Sequence, residues 1–282
     1  MLKDLNYYPV FVRDIIKTSH DMHTNGWTEA NGGNISLRLK SEFLEEVSKF
    51  HPKTEWISLN GSVPGLAQDF FLVSGTGRFL RNISLFPEKN VGVIELDENG
   101  ENYRICWGFE GDGQPTSEIF AHLLTHEIRK QVSNGREHAV IHTHTPNLIA
   151  LTYHKNYTTA ELTELLWTYH VECVVVFPEG VCMLPWMMAG SFYIGKKTAE
   201  AMAKHRMVLW QHHGIFASGR NLDESFGLIH TAEKSADIFR KVTQMGGTAS
   251  KPNLDRLKMI AENFNKKLNP DIYNALRSKT SG

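Results

Sequence analysis

The sequence is poor in cysteine and has almost no net charge. Its three cysteines among 282 residues are odd in number and form no Cys-x-x-Cys pair, which disfavours both a disulfide framework and a thiolate zinc site. A formal net charge of −1 provides no basic field for nucleic acid. We therefore expect a protein of a reducing cytoplasm that has no nucleic-acid partner.

The sequence also lacks long hydrophobic runs. No uninterrupted apolar stretch reaches the roughly 18 residues of a membrane span, and charged residues interrupt positions 1–16, which disfavours a signal-peptide core. Hydrophobic residues nevertheless make up 41% of the chain, enough for a substantial core. We expect an unprocessed, soluble protein that has no membrane partner.

What the sequence does contain is an alternation of strand-like and helix-like segments. Strand patterns occupy residues 31–39, 70–73, 91–96, 103–107, 139–141, 171–177 and 207–210. Helix patterns occupy residues 9–22, the segment that follows 115–118, and residues 194–204, 222–242 and 254–268. This order predicts a single-domain α/β/α layered fold over residues 1–282, with a central mixed, largely antiparallel sheet covered by helices on both faces. The domain includes an N-terminal helical segment (about 1–25) and a C-terminal helical tail (about 253–282).

Local patterns add detail to this fold prediction. Ile35, Leu37 and Leu39 alternate along the first strand, so we expect them on one face of the sheet. Asp223 is expected to cap the helix at 222–242, and residues 171–177 are expected to form a fully buried strand. Residues 41–68 have no clear helix or strand pattern, and we expect them to form a segment on the surface.

Three histidines predict an open metal site. His142 and His144 are two residues apart at the end of a β-forming run, so both side chains point to the same face of a strand. His213 follows a second apolar run and precedes Gly214, which suits a tight turn. Three histidine ligands with one position open are typical of catalytic zinc.

The histidine spacing alone leaves an ordinary structural role open. The chain has 14 histidines, and a lone His-x-His is a weak motif. The same site type would also accept cobalt, nickel or manganese. Ordinary solvated or hydrogen-bonded roles are expected for His20, His23, His51, His126, His138 and His205.

Three further segments are candidates for binding a phosphate. Two are the glycine-rich turns at 31–34 and 75–77, and the third is the predicted helix start at Thr116 and Ser117, just before Glu118. Turn N–H groups and helix N-termini both bind anions. Taken singly, each segment is more simply interpreted as an ordinary turn or cap. No nucleotide-binding glycine motif follows a strand.

Five short motifs occur in an order that resembles a known family. They are Asn-Gly-Gly-Asn at 31–34, Ser-Gly-Thr-Gly at 74–77, Pro-Thr-Ser-Glu at 115–118, His-Thr-His at 142–144 and His-His-Gly at 212–214. The chain resembles the zinc-dependent class II aldolases, which share a fold with adducin heads and ribulose-phosphate epimerases. Within that family, segments at 164–167, 175–180, 184–187 and 231–236 are similar to the rhamnulose-1-phosphate aldolase subgroup.

The resemblance implies a role for each motif residue. It implies that His142, His144 and His213 bind one Zn²⁺ per subunit and that Glu118 is the catalytic acid/base. Glu172 matches a catalytic carboxylate that, in the subgroup, reaches the neighbouring subunit's active site, which implies a homotetramer with sites near its interfaces. The residues expected around the substrate phosphate are Asn31, Gly32, Asn34, Gly75, Thr76, Gly77, Thr116 and Ser117.

The implied reaction belongs to rhamnose catabolism. It is the reversible cleavage of L-rhamnulose 1-phosphate to dihydroxyacetone phosphate and L-lactaldehyde through a metal-stabilised enediolate, with Glu118 carrying the proton. The alternatives are an L-fuculose-phosphate aldolase, an L-ribulose-5-phosphate 4-epimerase and a non-catalytic adducin-like interaction module. The intact histidines and Glu118 disfavour the last of these.

Overall fold

The computed structural model describes residues 7–280, which contain nine strands and eleven α-helices. The strands are β1 (Asn34–Arg38), β2 (Ile57–Ser58), β3 (Phe70–Ser74), β4 (Val91–Leu96), β5 (Asn102–Gly108), β6 (Ala139–Thr143), β7 (Val181–Leu184), β8 (Met207–Trp210) and β9 (Gly214–Gly219). The helices are α1 (Val10–Thr24), α2 (Leu44–Val47), α3 (Pro87–Asn90), α4 (Ile119–Val132), α5 (Pro146–His154), α6 (Thr159–Tyr169), α7 (Glu172–Val176), α8 (Phe192–Met202), α9 (Leu222–Gln244), α10 (Leu254–Asn263) and α11 (Pro270–Thr280).

All nine strands form one sheet. Its order is β2-β5-β4-β3-β1-β6-β9-β8-β7. The pairs are antiparallel except for β7 and β8, which are parallel. This topology confirms the predicted mixed, largely antiparallel sheet.

The two faces of the sheet carry different helices. Ile35, Leu37 and Leu39 lie together in the larger core, as predicted, and this core also contains residues of α1, α5, α6, α7, α9, α10 and α11. The opposite face packs against α4 and α8, whose buried residues include Leu123 and Ile194. The sheet is therefore covered by helices on both faces, because successive side chains of each strand point to opposite sides.

The three central strands bring distant parts of the chain side by side. Asn34 on β1 lies opposite His142 on β6, and His142 lies opposite Phe216 on β9. All three residues are on the face covered by α4 and α8. The candidate site forms at the polar end of these paired strands and not at their apolar middle.

The prediction of a buried strand at residues 171–177 is wrong. Residues Glu172–Val176 form the short helix α7, which packs against α9 and α10. The run of valines favours a strand by intrinsic propensity, but only Cys173 and Val174 are fully buried within the helix. The segment is a helix because only one of its sides is buried, against α9 and α10.

Three other local predictions need correction. Residues 41–68 do not lie only on the surface, since β2 pairs with β5 in the sheet and Val63 and Leu66 are fully buried. Asn221, not Asp223, caps α9, since its side chain accepts a hydrogen bond from the N–H of Glu224. The C-terminal helix predicted at 254–268 ends at Asn263, and a second helix begins at Pro270, a residue suited to the first position of a helix.

The predicted terminal segments at residues 1–6 and 281–282 lie outside the described residues. Among the described residues no helix is long and apolar enough to span a bilayer.

Candidate active site

The central strands and adjoining loops enclose a polar cleft of about 150 Å³. Every site residue named from the sequence lines this cleft except Glu172, and Gly33 joins them. The lining residues are Asn31, Gly32, Gly33, Asn34, Gly75, Thr76, Gly77, Thr116, Ser117, Glu118, His142, His144 and His213. Segments far apart in the chain therefore meet in one place.

The three predicted metal ligands form a compact group. His142 lies within β6, His144 follows the end of that strand, and His213 lies in the turn between β8 and β9. One nitrogen from each ring can be chosen so that all three lie within 4.8 Å of one another. A single ion can therefore contact all three imidazoles.

The second nitrogen of two of these rings has its own acceptor. His142 Nδ1 lies 3.1 Å from the carbonyl oxygen of Ile215, and His144 Nδ1 lies 2.5 Å from Oε1 of Glu29. A carbonyl oxygen can only accept, so Nδ1 of His142 carries the hydrogen and its Nε2 has a free lone pair. The same assignment for His144 follows from the Glu29 carboxylate.

The buried surroundings keep the rings of His142 and His213 neutral. Burial lowers the pKa of His142 well below its usual value, and burial together with the neighbouring His144 lowers the pKa of His213 to about 4. His142 also stacks on Phe216, with ring centroids 4.6 Å apart. Neutral imidazole is the form that binds a metal.

The chemistry of this donor set fits a metal ion. His142 Nε2 is buried and has no hydrogen-bond partner among the described residues. Leaving a buried polar atom unpaired costs about 1–3 kcal/mol, and a metal ion would relieve that cost. The three histidines therefore fit a divalent cation with an open coordination position.

Gly214 contributes to the site by close approach rather than by a turn. It is the first residue of β9, and a Cβ there would lie 2.5 Å from the carbonyl oxygen of Thr143, 2.9 Å from the ring of His144 and 3.1 Å from the ring of His142. The left-handed backbone of this turn is instead at His212, with φ +61°. The predicted turn role of Gly214 is therefore wrong, and only glycine leaves room for the two rings.

His212 does not occupy a strand position. Its N–H donates to the hydroxyl of Thr152 at 3.0 Å, and its ring packs on Tyr153 with centroids 4.1 Å apart. These contacts hold the turn that carries His213. His212 therefore acts structurally in this conformation.

Glu118 lies at the border between the cleft and the core. It is the N-cap residue of α4, one position before the predicted first turn, and Thr116 Oγ1 accepts a hydrogen bond from its N–H. Its Oε2 accepts a hydrogen bond from Asn34 Nδ2 at 2.8 Å and lies 3.7 Å from His142 Nε2. Burial raises the pKa of Glu118, and the hydrogen bond from Asn34 and the charge of His144 offset part of that rise. A buried carboxyl that holds its proton more tightly suits acid/base chemistry.

The loops around the cleft offer unused backbone donors. The N–H groups of Gly32, Gly75 and Thr76 are already bonded to carbonyl oxygens. Four other N–H groups of the lining have no acceptor within residues 7–280, namely those of Asn31, Gly33, Gly77 and Ser117. Unbonded N–H groups of this kind, in glycine-rich turns and at a helix start, can bind an anion without any lysine or arginine.

Glu172 is the one predicted site residue that the fold does not bring to the cleft. It is exposed at the start of α7 and is absent from the cleft lining. A role for it in catalysis requires a second copy of the chain, so that role stays a prediction.

Sequence reasoning missed two residues that contact the site. Glu29 bonds to His144 across the turn at 30–33, and no local spacing signals this contact. His122 bonds to Asn34 from α4. Its position four residues after Glu118, on the same helical face, was the available signal. By contrast His126 has the ordinary hydrogen-bonded role that was expected.

Comparison with known proteins gives consistent similarities. Residues 13–239 match the family model described as the class II aldolase and adducin N-terminal domain. A rhamnulose-1-phosphate aldolase of Klebsiella pneumoniae subsp. pneumoniae is 45% identical over 90% of this chain and 93% of that protein. A protein of the same name from Mannheimia succiniciproducens is 44% identical over 90% and 94%.

Solved structures show the same architecture. A sugar-phosphate aldolase from Thermotoga maritima superposes with a TM-score of 0.74 at 28% identity, covering 84% of this chain and 97% of that one. An L-fuculose-1-phosphate aldolase from Thermus thermophilus superposes with a TM-score of 0.52 at 22% identity over 85% and 98%, a likeness of fold alone.

Proposed function

Because this chain belongs to the class II aldolase and adducin family, we propose that it is an aldolase that reversibly cleaves L-rhamnulose 1-phosphate. The products are dihydroxyacetone phosphate and L-lactaldehyde, and the reaction serves rhamnose catabolism. The observation that carries the proposal is the meeting of three histidines, a buried carboxyl and unused N–H donors in one cleft. The relatives named for this activity match about nine-tenths of the chain at 44–45% identity.

The loops at 31–34, 75–77 and 116–117 are proposed to bind the substrate phosphate. Four free N–H groups surround this part of the cleft, and the amide of Asn31 and the hydroxyls of Thr76 and Ser117 add side-chain donors. Fixing the phosphate here orients the carbon chain towards the histidines. Orientation of this kind lowers the barrier by pre-forming the reacting geometry.

Glu118 is proposed to carry the proton. In cleavage a base takes the proton of the substrate's C4 hydroxyl, the C3–C4 bond breaks, and lactaldehyde leaves with its new carbonyl. The electron pair of that bond stays on C3, next to the ketone, and the carboxyl of Glu118 donates a proton to C3 to complete dihydroxyacetone phosphate. In synthesis the carboxylate removes the same proton. Oε2 is engaged by Asn34, which leaves Oε1 as the oxygen that holds the proton.

We propose that His142, His144 and His213 bind one Zn²⁺ per subunit. When bound, the cation supplies a positive charge that polarises the ketone of the substrate. Imidazole ligands bind in their neutral form and would leave that charge undiminished. Zinc is proposed over other divalent metals because three histidines and one open position are typical of catalytic zinc.

We also propose a homotetramer in which Glu172 reaches the cleft of a neighbouring subunit as a second catalytic carboxylate. This proposal is supported by the exposure of Glu172 on α7 and by large exposed apolar side chains, including Trp186 and Phe192. Such side chains are common at interfaces between subunits. A cytoplasmic location is proposed as well, since the three cysteines are free.

Turnover with zinc-loaded protein tests the proposed activity. Release of dihydroxyacetone phosphate from L-rhamnulose 1-phosphate is followed through a coupled dehydrogenase, before and after treatment with a chelator. Glu118→Gln is the matched variant, because its amide oxygen can still accept the hydrogen bond from Asn34 but cannot take up the proton. We expect this variant to bind zinc as the wild type does and to lose about 10²–10⁴-fold in kcat.

The outcome also separates the alternatives. Zinc binding without product from L-rhamnulose 1-phosphate would sink the substrate assignment, and assays with L-fuculose 1-phosphate and L-ribulose 5-phosphate would then identify the aldolase or epimerase alternative. Protein that never binds zinc would favour the non-catalytic module. Full activity in Glu118→Gln would remove Glu118 from the mechanism.

A further inference from the structure

Glu118 is connected to the core by a continuous line of buried side chains. Asn34 donates to Glu118, and the other atom of its amide, Oδ1, is in close contact with Nε2 of His122. His122 Nδ1 lies 2.7 Å from the hydroxyl of Ser36, which lies 2.8 Å from Nε2 of His126. All five residues are buried, and both histidines are essentially inaccessible to solvent.

This line follows from two simple periodicities. Glu118, His122 and His126 are spaced by four residues along α4 and its cap, so they share one helical face. Asn34 and Ser36 are two residues apart on β1, so they point to the same side of the sheet. Packing this face of α4 against β1 interleaves the two polar rows.

The direction of every hydrogen bond in the line can be assigned. Glu118 accepts from Asn34, so the oxygen of the Asn34 amide faces His122 and requires Nε2 of His122 to carry the hydrogen. Nδ1 of His122 must then accept from Ser36. The hydroxyl oxygen of Ser36 in turn accepts from Nε2 of His126. All the donors therefore point towards Glu118.

The protonation states of the two histidines agree with this assignment. Burial lowers the pKa of His122 to about 3 and lowers the pKa of His126 well below its usual value. His122 is therefore neutral and has the Nδ1 lone pair that the assignment requires. Hydrogen bonds aligned in one direction also polarise one another in a low-dielectric interior.

We propose that His122, supported by Ser36, is a positioning residue for the proton transfer at Glu118. It holds the Asn34 amide in the one orientation that donates to Oε2 and so keeps Oε1 available for the substrate proton. Without the donor at Nε2 of His122, the Asn34 amide is free to turn its oxygen towards Glu118, where two acceptors would face each other. The inference rests on the proposed function, in which Glu118 carries the proton.

The chain offers variants that separate the two ring nitrogens of His122. In His122→Gln the amide nitrogen can reach the place of Nε2 and keep the donor to Asn34. In His122→Asn the shorter amide reaches only the place of Nδ1, so the contact with Ser36 remains and the donor to Asn34 is lost. Thr125→Val is the control, because Thr125 is fully buried on the same helix and its hydroxyl has no partner within residues 7–280.

The measurement isolates the proton step. Zinc-loaded protein is incubated with dihydroxyacetone phosphate in D₂O, and exchange of a hydroxymethyl C–H for deuterium is followed by NMR. In this exchange the carboxylate takes the carbon proton, solvent replaces it with deuterium, and the deuteron returns to the same carbon. Zinc content, thermal unfolding, kcat and KM are measured on the same samples.

We expect His122→Asn to lose about 10–100-fold in exchange rate and in kcat, since misplacing a reacting group by about 1 Å costs that much. KM and zinc content should stay within about threefold of the wild type, since the phosphate loops and the ligands are untouched. His122→Gln should recover most of the rate, and Thr125→Val should match the wild type. A merely structural role would predict similar losses in both His122 variants, parallel to their loss of thermal stability.

Three results would decide against the inference. One is wild-type exchange in folded His122→Asn, another is equal loss in His122→Asn and His122→Gln, and the third is a loss confined to KM or to zinc content. If His122→Asn does not fold, Ser36→Ala takes its place, with a smaller expected loss of about 3–10-fold. If the wild-type protein catalyses the deuterium exchange but does not cleave L-rhamnulose 1-phosphate, only the substrate assignment is contradicted. If the wild-type protein cleaves L-rhamnulose 1-phosphate and the His122 variants exchange deuterium at the wild-type rate, only the positioning role of His122 is contradicted.

Discussion

His142 and His144 reach the candidate metal site with their other nitrogen already bonded. The partner of His142 is a backbone carbonyl inside the sheet, whereas the partner of His144 is the carboxylate of Glu29, an exposed residue before the first strand. Gly32 makes room for this second contact, because a Cβ there would lie 2.9 Å from both Glu29 Oε1 and His144 Nδ1. The orientation of His144 therefore depends on an exposed side chain outside the sheet.

Removing the Glu29 carboxylate should weaken zinc binding. We expect Glu29→Ala to lower the affinity for zinc by about 10–100-fold, the usual cost of losing a partner behind a histidine ligand. Glu29→Gln should lose less, since its amide oxygen can still accept from Nδ1. Affinity is measured by competition with a chromogenic chelator, and an unchanged affinity in Glu29→Ala would contradict the orienting role.

At this scale the sequence predicts the site residues better than their contacts. His142, His144, His213 and Glu118 occur in short motifs whose spacing indicates chemistry. Glu29 is linked to its histidine only by folding, since the two lie 115 residues apart in the chain. Pairwise contacts of that separation leave no pattern in a single sequence.

The elements around the site show where intrinsic propensity decides conformation and where packing does. The helices α1 and α9 lie close to their predicted positions because each has a long amphipathic pattern. The five-residue helix α7 was predicted as a strand, since it is too short for a helical period to appear and is rich in valine. The order of the strands was beyond sequence reasoning, because β1 pairs with β6, a strand about a hundred residues away in the chain.

Alanine should weaken zinc binding at one glycine and should stabilise the fold at another. Gly214→Ala places a Cβ against Thr143 and two ligand rings, so we expect zinc affinity to fall by at least tenfold. Gly227 lies inside α9 with nothing within 4 Å of its added Cβ, so Gly227→Ala should raise the free energy of unfolding by about 0.5–1 kcal/mol. Chelator competition and thermal unfolding measure the two effects. Normal zinc binding by Gly214→Ala would show that the rings have more room than the structure indicates.

The whole molecule keeps several histidines buried and neutral. The pKa is lowered by burial to about 3 for His122 and to about 4 for His138, and it is also lowered for His126 and His205. In the unfolded chain these rings take up protons near pH 6.5. Between about pH 6.5 and pH 4 the unfolded state therefore binds more protons than the folded state, and stability falls as the pH is lowered. Asp14, Glu118 and Glu233, whose pKa values are raised by burial, act in the opposite sense.

Acid should therefore destabilise the folded chain well before its surface carboxylates are neutralised. A ring with the pKa of His122 costs about 2 kcal/mol at pH 5 relative to neutral pH. We expect the melting temperature to be lower at pH 5 than at pH 7, measured with a chelator present so that metal release does not contribute. His138→Gln should reduce this difference, and the exposed His20→Gln should leave it unchanged. If the melting temperatures of the wild type and of His138→Gln depend equally on pH, the contribution assigned to His138 is contradicted.

The pairing of β1 with β6 also sets the order of events during synthesis. β1 leaves the ribosome before its partner β6, which follows about a hundred residues later, and β9 follows later still. Contacts of such long separation form late, because the loops between them must first close. The hairpin of β4 and β5 is local and can form while the nascent chain is still short. A chain that stops before β8 therefore has His142 and His144 side by side but lacks His213, and its candidate metal site has two of the three imidazoles.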